Sequence, residues 1–510
     1  MSFLKNKIVR YLISGVTAAF VSLSLLYIFA DIFGIWYLFS STFAFIGAFL
    51  VSFLLQKLWT FRNTHIHDIS RQLSLYFITA IAGLFANALF MYVLVSIAGL
   101  WFMLAQVFSS GIIAVITFFI YGNIIFNHTQ KGSVLIATGL YPPDIGGPAT
   151  YSRLLETELP KHNIDVTVAP FSSVRRLPKI IRHIAYFLKI SFEGTEAEIL
   201  YALDPVSVGF PALVASKLLR KKFILRVAGD YAWEQFQQRS ALLKLQPTTN
   251  NQQPPTLEEF QREKFDFITE MRRKIEHFVA QKADQIVVPS KYLKNIVLEW
   301  GVPEEKITVI YNAFTPPSIM LDKGEAHGKL EIDGIVLVSA GRLVPWKGFE
   351  ALVDIIADLK SEIPDLKLYI IGDGPERETL ESQIANRKSQ NNVFLIGKLS
   401  HDELTQYVKA ADIFVLNTGY EGFSHQLLEA TALGTPIVTT RIGGNPELLE
   451  NRKEGILVEY NKKEEIKNAI KNLLQDDELR NVLSQNAKEK SKTFSKERAI
   501  ESFIKLLVYD

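Results

Sequence analysis

Glu421-Gly-Phe-Ser-His-Gln-Leu-Leu-Glu429 is the stretch on which the reading of this chain turns. It follows an apolar, strand-like run, Ile413-Phe-Val-Leu416, and a polar turn, Asn417-Thr-Gly-Tyr420. It then opens a helix through Leu428 and Ala432. One carboxylate therefore lies on a loop at the carboxyl end of a strand, and the second lies about two turns into the helix. In an open α/β sheet that crevice is where ligands bind, and a helix N-terminus beside it attracts anions. Two glutamates at this spacing are by themselves commonplace: a surface side chain and one near a helix cap. Their surroundings decide the matter.

Working outward, the chain after Ser133 alternates short β-rich runs with helical segments, the pattern of parallel sheets. The first strand, Val134-Leu-Ile-Ala137, leads into Tyr141-Pro-Pro-Asp-Ile-Gly-Gly-Pro148. Gly146 and Gly147 let backbone come close to a ligand or serve a tight turn, and Pro148 suits the first turn of a helix that Pro160 ends. Phe223-Ile-Leu-Arg-Val227 runs into Ala228-Gly229-Asp230-Tyr-Ala-Trp-Glu234. There Asp230 is either an acid facing the crevice or a helix cap. The strand Ile335-Val-Leu-Val-Ser339 precedes Ala340-Gly341-Arg342-Leu-Val-Pro-Trp-Lys347-Gly348. Arg342 and Lys347 offer a fork and a point charge for phosphate oxygens, or are two exposed loop cations.

In combination these segments resemble the retaining glycosyltransferases of family 4. Glu421, Gly422, Phe423, Ser424 and the Leu428-Glu429-Ala430 triplet carry the likeness, with Arg342 and Lys347 as the diphosphate-binding pair. The resemblance covers about residues 133–485, with Val309-Ile-Tyr-Asn-Ala313 as the hinge. It implies a GT-B fold of two Rossmann-like domains with the donor between them. It also implies that Arg342, Lys347 and the helix start at Phe423-Ser424 hold the diphosphate. Glu429 would hold the ribose, Glu421 would position the sugar, and the Gly146-Gly147 loop would face donor phosphates and acceptor. Many relatives carry a His where this chain has Gly229-Asp230, which leaves Asp230 as the nearest acidic candidate.

The first 130 residues are different in kind, and aromatic side chains are unevenly concentrated there. Apolar stretches at about Tyr11–Phe33, Tyr37–Leu58, Leu75–Ile97 and Phe102–Phe126 are each near the ~20 residues that cross a bilayer. Lys5, Lys7, Arg10, Lys57, Arg62, Arg71 and Lys131 flank one set of loops, while the other set carries Asp31 and essentially no Lys or Arg. The charge bias puts both ends of the bundle in the cytoplasm. The bundle is also repeated. Gly34-Ile-Trp36 recurs as Gly99-Leu-Trp101, 65 positions on, and Tyr11-Leu-Ile-Ser14 recurs as Tyr76-Phe-Ile-Thr79 at that same offset. Ser52-Phe53 and Phe61 match Thr117-Phe118 and Phe126 likewise. Parallel repeats occur in transporters and in plain scaffolds. Asn87 is read as a hydrogen bond between helices rather than a substrate contact.

Arg10-Tyr-Leu-Ile-Ser-Gly15 and Leu54-Leu-Gln-Lys-Leu-Trp-Thr-Phe-Arg62 give this region its resemblance to the GtrA-like family, four-span proteins thought to handle polyprenyl-phosphate-linked sugars. That family usually has an Asn where this chain has Ser52. Further along, Arg175 to Lys189 reads as a basic amphipathic helix starting near Pro178. Its cations either rest on anionic lipid or form a solvated face. Gln246 to Pro255, polar and Pro-rich, reads as a loop that spaces two helices or closes as a lid.

A net charge of +2 gives no basis for a nucleic-acid partner, and the absence of cysteine excludes disulfides and thiol chemistry. The nine His lack ligand spacing and no D-x-D sits at a strand end, so neither metal nor cofactor is expected. The expected architecture is multi-domain: a four-helix transmembrane bundle (1–129), an acceptor-side half (130–313), a donor-side half (314–485) and a crossover helix (486–510). The expected function is metal-independent transfer of a sugar from a nucleotide-sugar donor to a lipid-linked or polysaccharide acceptor at the cell membrane of a bacterium, with membrane lipids as further partners. The alternatives are a polyprenyl-linked sugar transporter with a nucleotide-sugar-sensing domain, and a sugar-nucleotide epimerase. The donor base stays open.

The absence of native cysteine makes the orientation directly testable. A single cysteine at Thr64→Cys should react with an impermeant reagent only from the cytoplasmic side, and one at Gly34→Cys only from outside. Labelling at position 64 in intact cells would invert the topology.

Overall fold

The structure is a computed structural model that describes residues 7–508 except 62, 64–68, 127–131, 143, 145, 243–254, 315, 317, 318 and 320. Lys5, Arg62 and Lys131, the Thr64 loop and the Gln246 stretch up to Pro254 lie outside the described residues. The chain divides into two compact units. One is Met1–Ser133 with Leu188–Glu198 and Lys217–Lys221, and the other is Val134–Phe187, Ile199–Ser216 and Lys222–Asp510.

The first unit holds four helices long and apolar enough to cross a membrane: Lys7–Ile32, Tyr37–Thr60, Ile69–Ile97 and Phe102–Ile120. The 65-residue repeat is visible in its backbone. Wide π turns at Ile28–Ile32 and Leu55–Thr60 recur at Tyr92–Ile97 and Tyr121–Ile125. The bonds Phe33 N–H to Ile28 O (3.0 Å) and Ile35 N–H to Phe29 O (2.9 Å) recur as Ala98 to Val93 (3.0 Å) and Leu100 to Leu94 (2.9 Å). Gly34 and Gly99 end the outgoing helices at φ of 63° and 69°, a left-handed geometry that glycine adopts without a Cβ penalty.

The two hairpins are joined through equivalent hydrogen bonds. Tyr11 Oη lies 2.7 Å from Thr117 Oγ1, and Tyr76 Oη lies 2.8 Å from Ser52 Oγ. Each tyrosine thus bonds the hydroxyl of the opposite repeat, and Ser52 acquires a polar role inside the bundle. Asn87 receives a bond from Ser109 Oγ (2.8 Å) and exchanges with Gln106, an interhelical role. The cations do not follow the repeat. Lys57 is buried and donates to Asn63 Oδ1 (2.8 Å) and Gln72 Oε1 (2.6 Å), whereas Gly122 stands 65 positions on. Within this unit Phe192 packs on Phe118 and Phe119 (4.8 and 5.2 Å between ring centres), and Lys7 Nζ reaches Glu196 Oε1 at 3.2 Å.

The second unit is built on two parallel, doubly wound sheets. The first has strand order β2-β1-β3-β4-β5-β6, from β1 (Ser133–Thr138), β2 (Asp165–Pro170), β3 (Ile199–Ala202), β4 (Lys222–Arg226), β5 (Gln285–Val288) and β6 (Ile307–Val309). The second has order β12-β11-β10-β7-β8-β9, from β7 (Ile335–Ala340), β8 (Leu366–Ile371), β9 (Val393–Gly397), β10 (Ile413–Leu416), β11 (Ile437–Thr440) and β12 (Ile456–Val458). Strands β1, β3 and β10 are buried along their whole length, as continuous apolar runs covered by helices on both faces require. In the second sheet β7 lies between β8 and β10, so the winding reverses between β7 and β10. The crevice at their carboxyl ends is the switch point where ligands bind in such sheets. Phe314 and Ser495 form a parallel bridge. Helix Lys496–Val508 then buries Ile500 and Phe503 in the core of the first half, with Phe503 against Tyr201.

The paired tyrosines give a direct test of the repeat. Tyr11→Phe and Tyr76→Phe should each destabilise the bundle by about 0.6 kcal/mol, the average for a hydrogen bond between membrane helices. Unfolding of the full chain in mixed micelles reads both. A loss in one variant and none in the other would show that the two bonds are not energetically equivalent.

Candidate functional site: a charged cleft between two parallel sheets

The cleft is lined by the loops after β7 and β10 on one side and those after β1 and β4 on the other. Gly422 shows why the donor-side loop needs its sequence. A Cβ there would stand 2.5 Å from Ala228 O and 2.7 Å from Leu293 Cδ1, so the loop packs directly on the opposite half. Ser424 caps helix His425–Leu433, its Oγ accepting from Leu427 N–H at 3.3 Å. Gly146 precedes helix Gly147–Glu158 at φ of 150°. A Cβ at Gly147 would lie 3.4 Å from His425 Cδ2, so the glycine loop and the start of helix His425–Leu433 face each other. Burial, with Arg226 nearby, pushes the His425 imidazole down to about 4, which keeps it neutral at physiological pH.

Both cations are held by carboxylates. Lys347 pairs with Glu421, the two side chains being only 10% and 12% exposed. Arg342, half-exposed, pairs with Glu234 Oε2 at 3.2 Å and lies 5.7 Å from the centre of the Trp346 ring. Glu429 Oε1 stands 3.4 Å from His401 Nδ1, while its buried Oε2 has no hydrogen-bond partner among the described residues. A buried carboxylate oxygen without a donor is costly unless a ligand supplies one.

The structure separates the sequence candidates by role. Arg342, Lys347 and Glu421 come together around the ends of β7 and β10, as the winding requires. The Phe423 ring is buried against Tyr311 and Phe494 (5.2 and 5.3 Å), which leaves the expectation for the helix start at Phe423-Ser424 resting on its backbone. Asp230 is the helix cap of its two readings. Its carboxylate accepts from Trp233 N–H (2.7 Å) and Gln261 Nε2 (2.8 Å), and it is 1% exposed. Burial pushes its carboxyl up, and pushes up still further that of Glu276, which accepts from Tyr231 and Ala232 N–H (2.9 and 3.0 Å). This buried acidic cluster holds the start of helix Tyr231–Leu242.

Two further residues emerge only in three dimensions. Glu234 is one turn past the Asp230 cap, a spacing that placed it on the same side of the helix but gave no sign of Arg342. Glu447, in the short helix Asn445–Leu448, accepts from Lys291 N–H (2.9 Å), Tyr292 N–H (2.8 Å) and Tyr311 Oη (3.0 Å). It thereby caps a helix of the opposite half. Among the described residues no group of three or more His, Asp or Glu could hold a metal.

Known proteins match each part. The GtrA/DPMS transmembrane domain matches residues 10–126, Glycosyltransferase Family 4 matches 145–316, and Glycosyl transferases group 1 matches 322–490. Among similar proteins is an uncharacterized glycosyltransferase of Methanocaldococcus jannaschii, 30% identical over 44% of this chain and 59% of its own length. Another is the Campylobacter jejuni N-acetylgalactosamine-N,N'-diacetylbacillosaminyl-diphospho-undecaprenol 4-alpha-N-acetylgalactosaminyltransferase, 29% identical over 44% and 60%. The chain thus spans about three fifths of the length of these curated relatives. Anabaena HepE in complex with UDP-glucose has the same fold, with a TM-score of 0.57 and 20% identity over 73% of this chain and 99% of that one. Two parallel sheets, their shared cleft and these matches lead to one conclusion: the two sheet-bearing halves belong to the GT-B glycosyltransferases of family 4 type, and the bundle joined to them is a GtrA/DPMS transmembrane domain.

Proposed function

We propose that this chain is a membrane-anchored retaining glycosyltransferase that moves a sugar from a nucleotide-diphosphate donor to a polyprenyl-linked or other cell-envelope glycan acceptor. The observation that carries the reading is the buried, donorless Oε2 of Glu429, on a helix whose capped start borders the cleft that also holds Arg342 and Lys347. A ribose hydroxyl satisfies that oxygen. The diphosphate takes the two cations and the free N–H groups of the helix start, which stabilise the negative charge that develops as the donor breaks. Glu421 positions the sugar. The acceptor hydroxyl oxygen bonds to the anomeric carbon on the face the phosphate leaves, and its proton passes to the departing phosphate oxygen. Neither a metal ion nor a protein base enters this scheme, in keeping with Asp230 being occupied as a helix cap.

A lipid acceptor follows from the fused bundle, since spans in the same chain keep the cleft at the membrane where such a substrate resides. The loop charges support a cytoplasmic side for the cleft. Helix Lys179–Glu193 buries Tyr186 and Ile190 while exposing Ile181, Ile184 and Leu188, a face suited to lipid headgroups and acyl chains. The relative from C. jejuni acts, by its name, on an undecaprenol-diphosphate-linked sugar, and HepE was crystallised with UDP-glucose; these are the first donor and acceptor classes to try here. The pseudo-twofold hydrogen bonding of the bundle favours one further reading, a transporter whose soluble half senses nucleotide-sugar. Donor binding without donor hydrolysis or transfer to any lipid extract would favour it.

Glu429→Ala and Arg342→Ala should each weaken nucleoside-diphosphate binding by roughly 1.5–3 kcal/mol, the value of a charge-assisted hydrogen bond, while Glu421→Ala mainly lowers turnover. Calorimetry with UDP, GDP and ADP on the full chain measures this. Wild-type affinity in both binding variants would sink the site assignment.

Transfer to a lipid acceptor in mixed micelles should slow as detergent is added at constant bulk acceptor, because the acceptor is then diluted within the micelle surface. A rate independent of detergent would mean that the acceptor is taken from water.

A further inference from the structure

Arg342 has its partner in the other half of the cleft, and the site is built to put it there. Glu234 lies in the first turn of helix Tyr231–Leu242, and that turn is immobilised from beneath. Asp230 caps it, and Glu276 accepts from two of its N–H groups. The neighbouring Trp233 packs against Trp346 and Tyr420 of the donor-side half, with ring centres 5.2 and 4.7 Å away. Space is reserved for the carboxylate as well. A Cβ at Gly229 would lie 2.7 Å from Glu234 Oε1 and 2.9 Å from Tyr420 Oη. The other cation, Lys347, is paired within its own half by Glu421. Each cation that would meet a diphosphate is thus paired with a carboxylate, and of these two pairs that of Arg342 spans the two halves.

We propose that Glu234 is a positioning residue that holds Arg342 across the cleft and gives it up to the diphosphate of an incoming nucleotide donor, then reclaims it as the nucleoside diphosphate leaves. The inference rests on the reading of Arg342 as a diphosphate ligand. Its chemistry is an exchange of one anion for another at a partly exposed guanidinium, and no bond is made or broken. The pair keeps the arginine extended and aimed between the halves, and its re-formation competes with bound product. Burial raises the Glu234 carboxyl while Arg342 opposes the shift, so the anion depends on this cation and the two are suited to separate and rejoin.

A double-mutant cycle tests it on the full chain in detergent, with UDP, GDP and ADP as probes. Glu234→Gln should tighten binding of the preferred nucleotide about fivefold. That corresponds to about 1 kcal/mol at 1.4 kcal/mol per factor of ten, the scale of a partly exposed ion pair. In an Arg342→Ala background the same change should have no effect. Glu234→Asp, which keeps the charge, should stay near wild type. In steady-state transfer Glu234→Gln should lower the donor KM and also kcat, through slower product release. A merely structural Glu234 predicts weaker binding and loss in both backgrounds, and that result would overturn the proposal. An equal gain with and without Arg342 would overturn it too, as a general effect of removing a negative charge. Arg342→Ala that leaves nucleotide affinity unchanged would instead remove the donor-site reading beneath it, as would failure of all three nucleotides to bind.

Discussion

A single buried guanidinium ties the two sheet-bearing halves together. Arg226 ends β4 at 3% exposure, and its Nη2 donates to Asn312 Oδ1 at 2.7 Å. Its charge lies 3.6 Å from the centre of the Tyr151 ring, on the helix that follows the glycine loop. Asn312, in the hinge, passes the connection on by donating from Nδ2 to Phe423 O at 2.8 Å. No carboxylate pairs with Arg226 among the described residues, so an aromatic face and a neutral amide offset its desolvation. The consequence is geometric. Glycine loop, hinge and donor loop converge on one side chain, and the approach of Gly147 to His425 follows from it.

Glu447 supplies a second tie of a different kind, an anion of one half placed on a helix N-terminus of the other. Between these ties the cleft itself is lined by charges that are matched in the empty state. Lys347 with Glu421 is an internal pair, and Arg342 with Glu234 is a pair between halves. On the proposed reading, a ligand carrying two phosphates would displace these carboxylates and bring more negative charge than it displaces.

In the membrane bundle the organising constraint is repetition. Two hairpins of like orientation meet through two equivalent tyrosine–hydroxyl bonds, and the wide turns that end their helices recur to within one residue. Against that background the buried cations Arg10 and Lys57 stand out, because Leu75 and Gly122 occupy the equivalent positions. The scaffold is duplicated while these two buried cations belong to one copy.

Much of this was legible along the chain. Apolar runs of strand length alternating with helical segments specify parallel sheets, since strands covered on both faces carry no polar alternation. Four long apolar stretches specify spans, and a constant offset of 65 residues specifies a duplicated hairpin. The glutamates and cations near strand ends were visible as well, because ligand crevices in such sheets lie at those ends. Pairing was not legible. Glu234 and Arg342 are 108 positions apart, and Lys291 and Glu447 are 156 apart, and nothing in either local sequence names the other. Phe423 and Asp230 show the same limit, one being core and the other a helix cap, although both sit in segments that read as cleft. Local sequence sets which elements form and which residue types stand at their ends. Which of those residues face each other depends on how two sheets, each with its own twist and winding, are brought together across a hinge, and that was decided only by the tertiary structure.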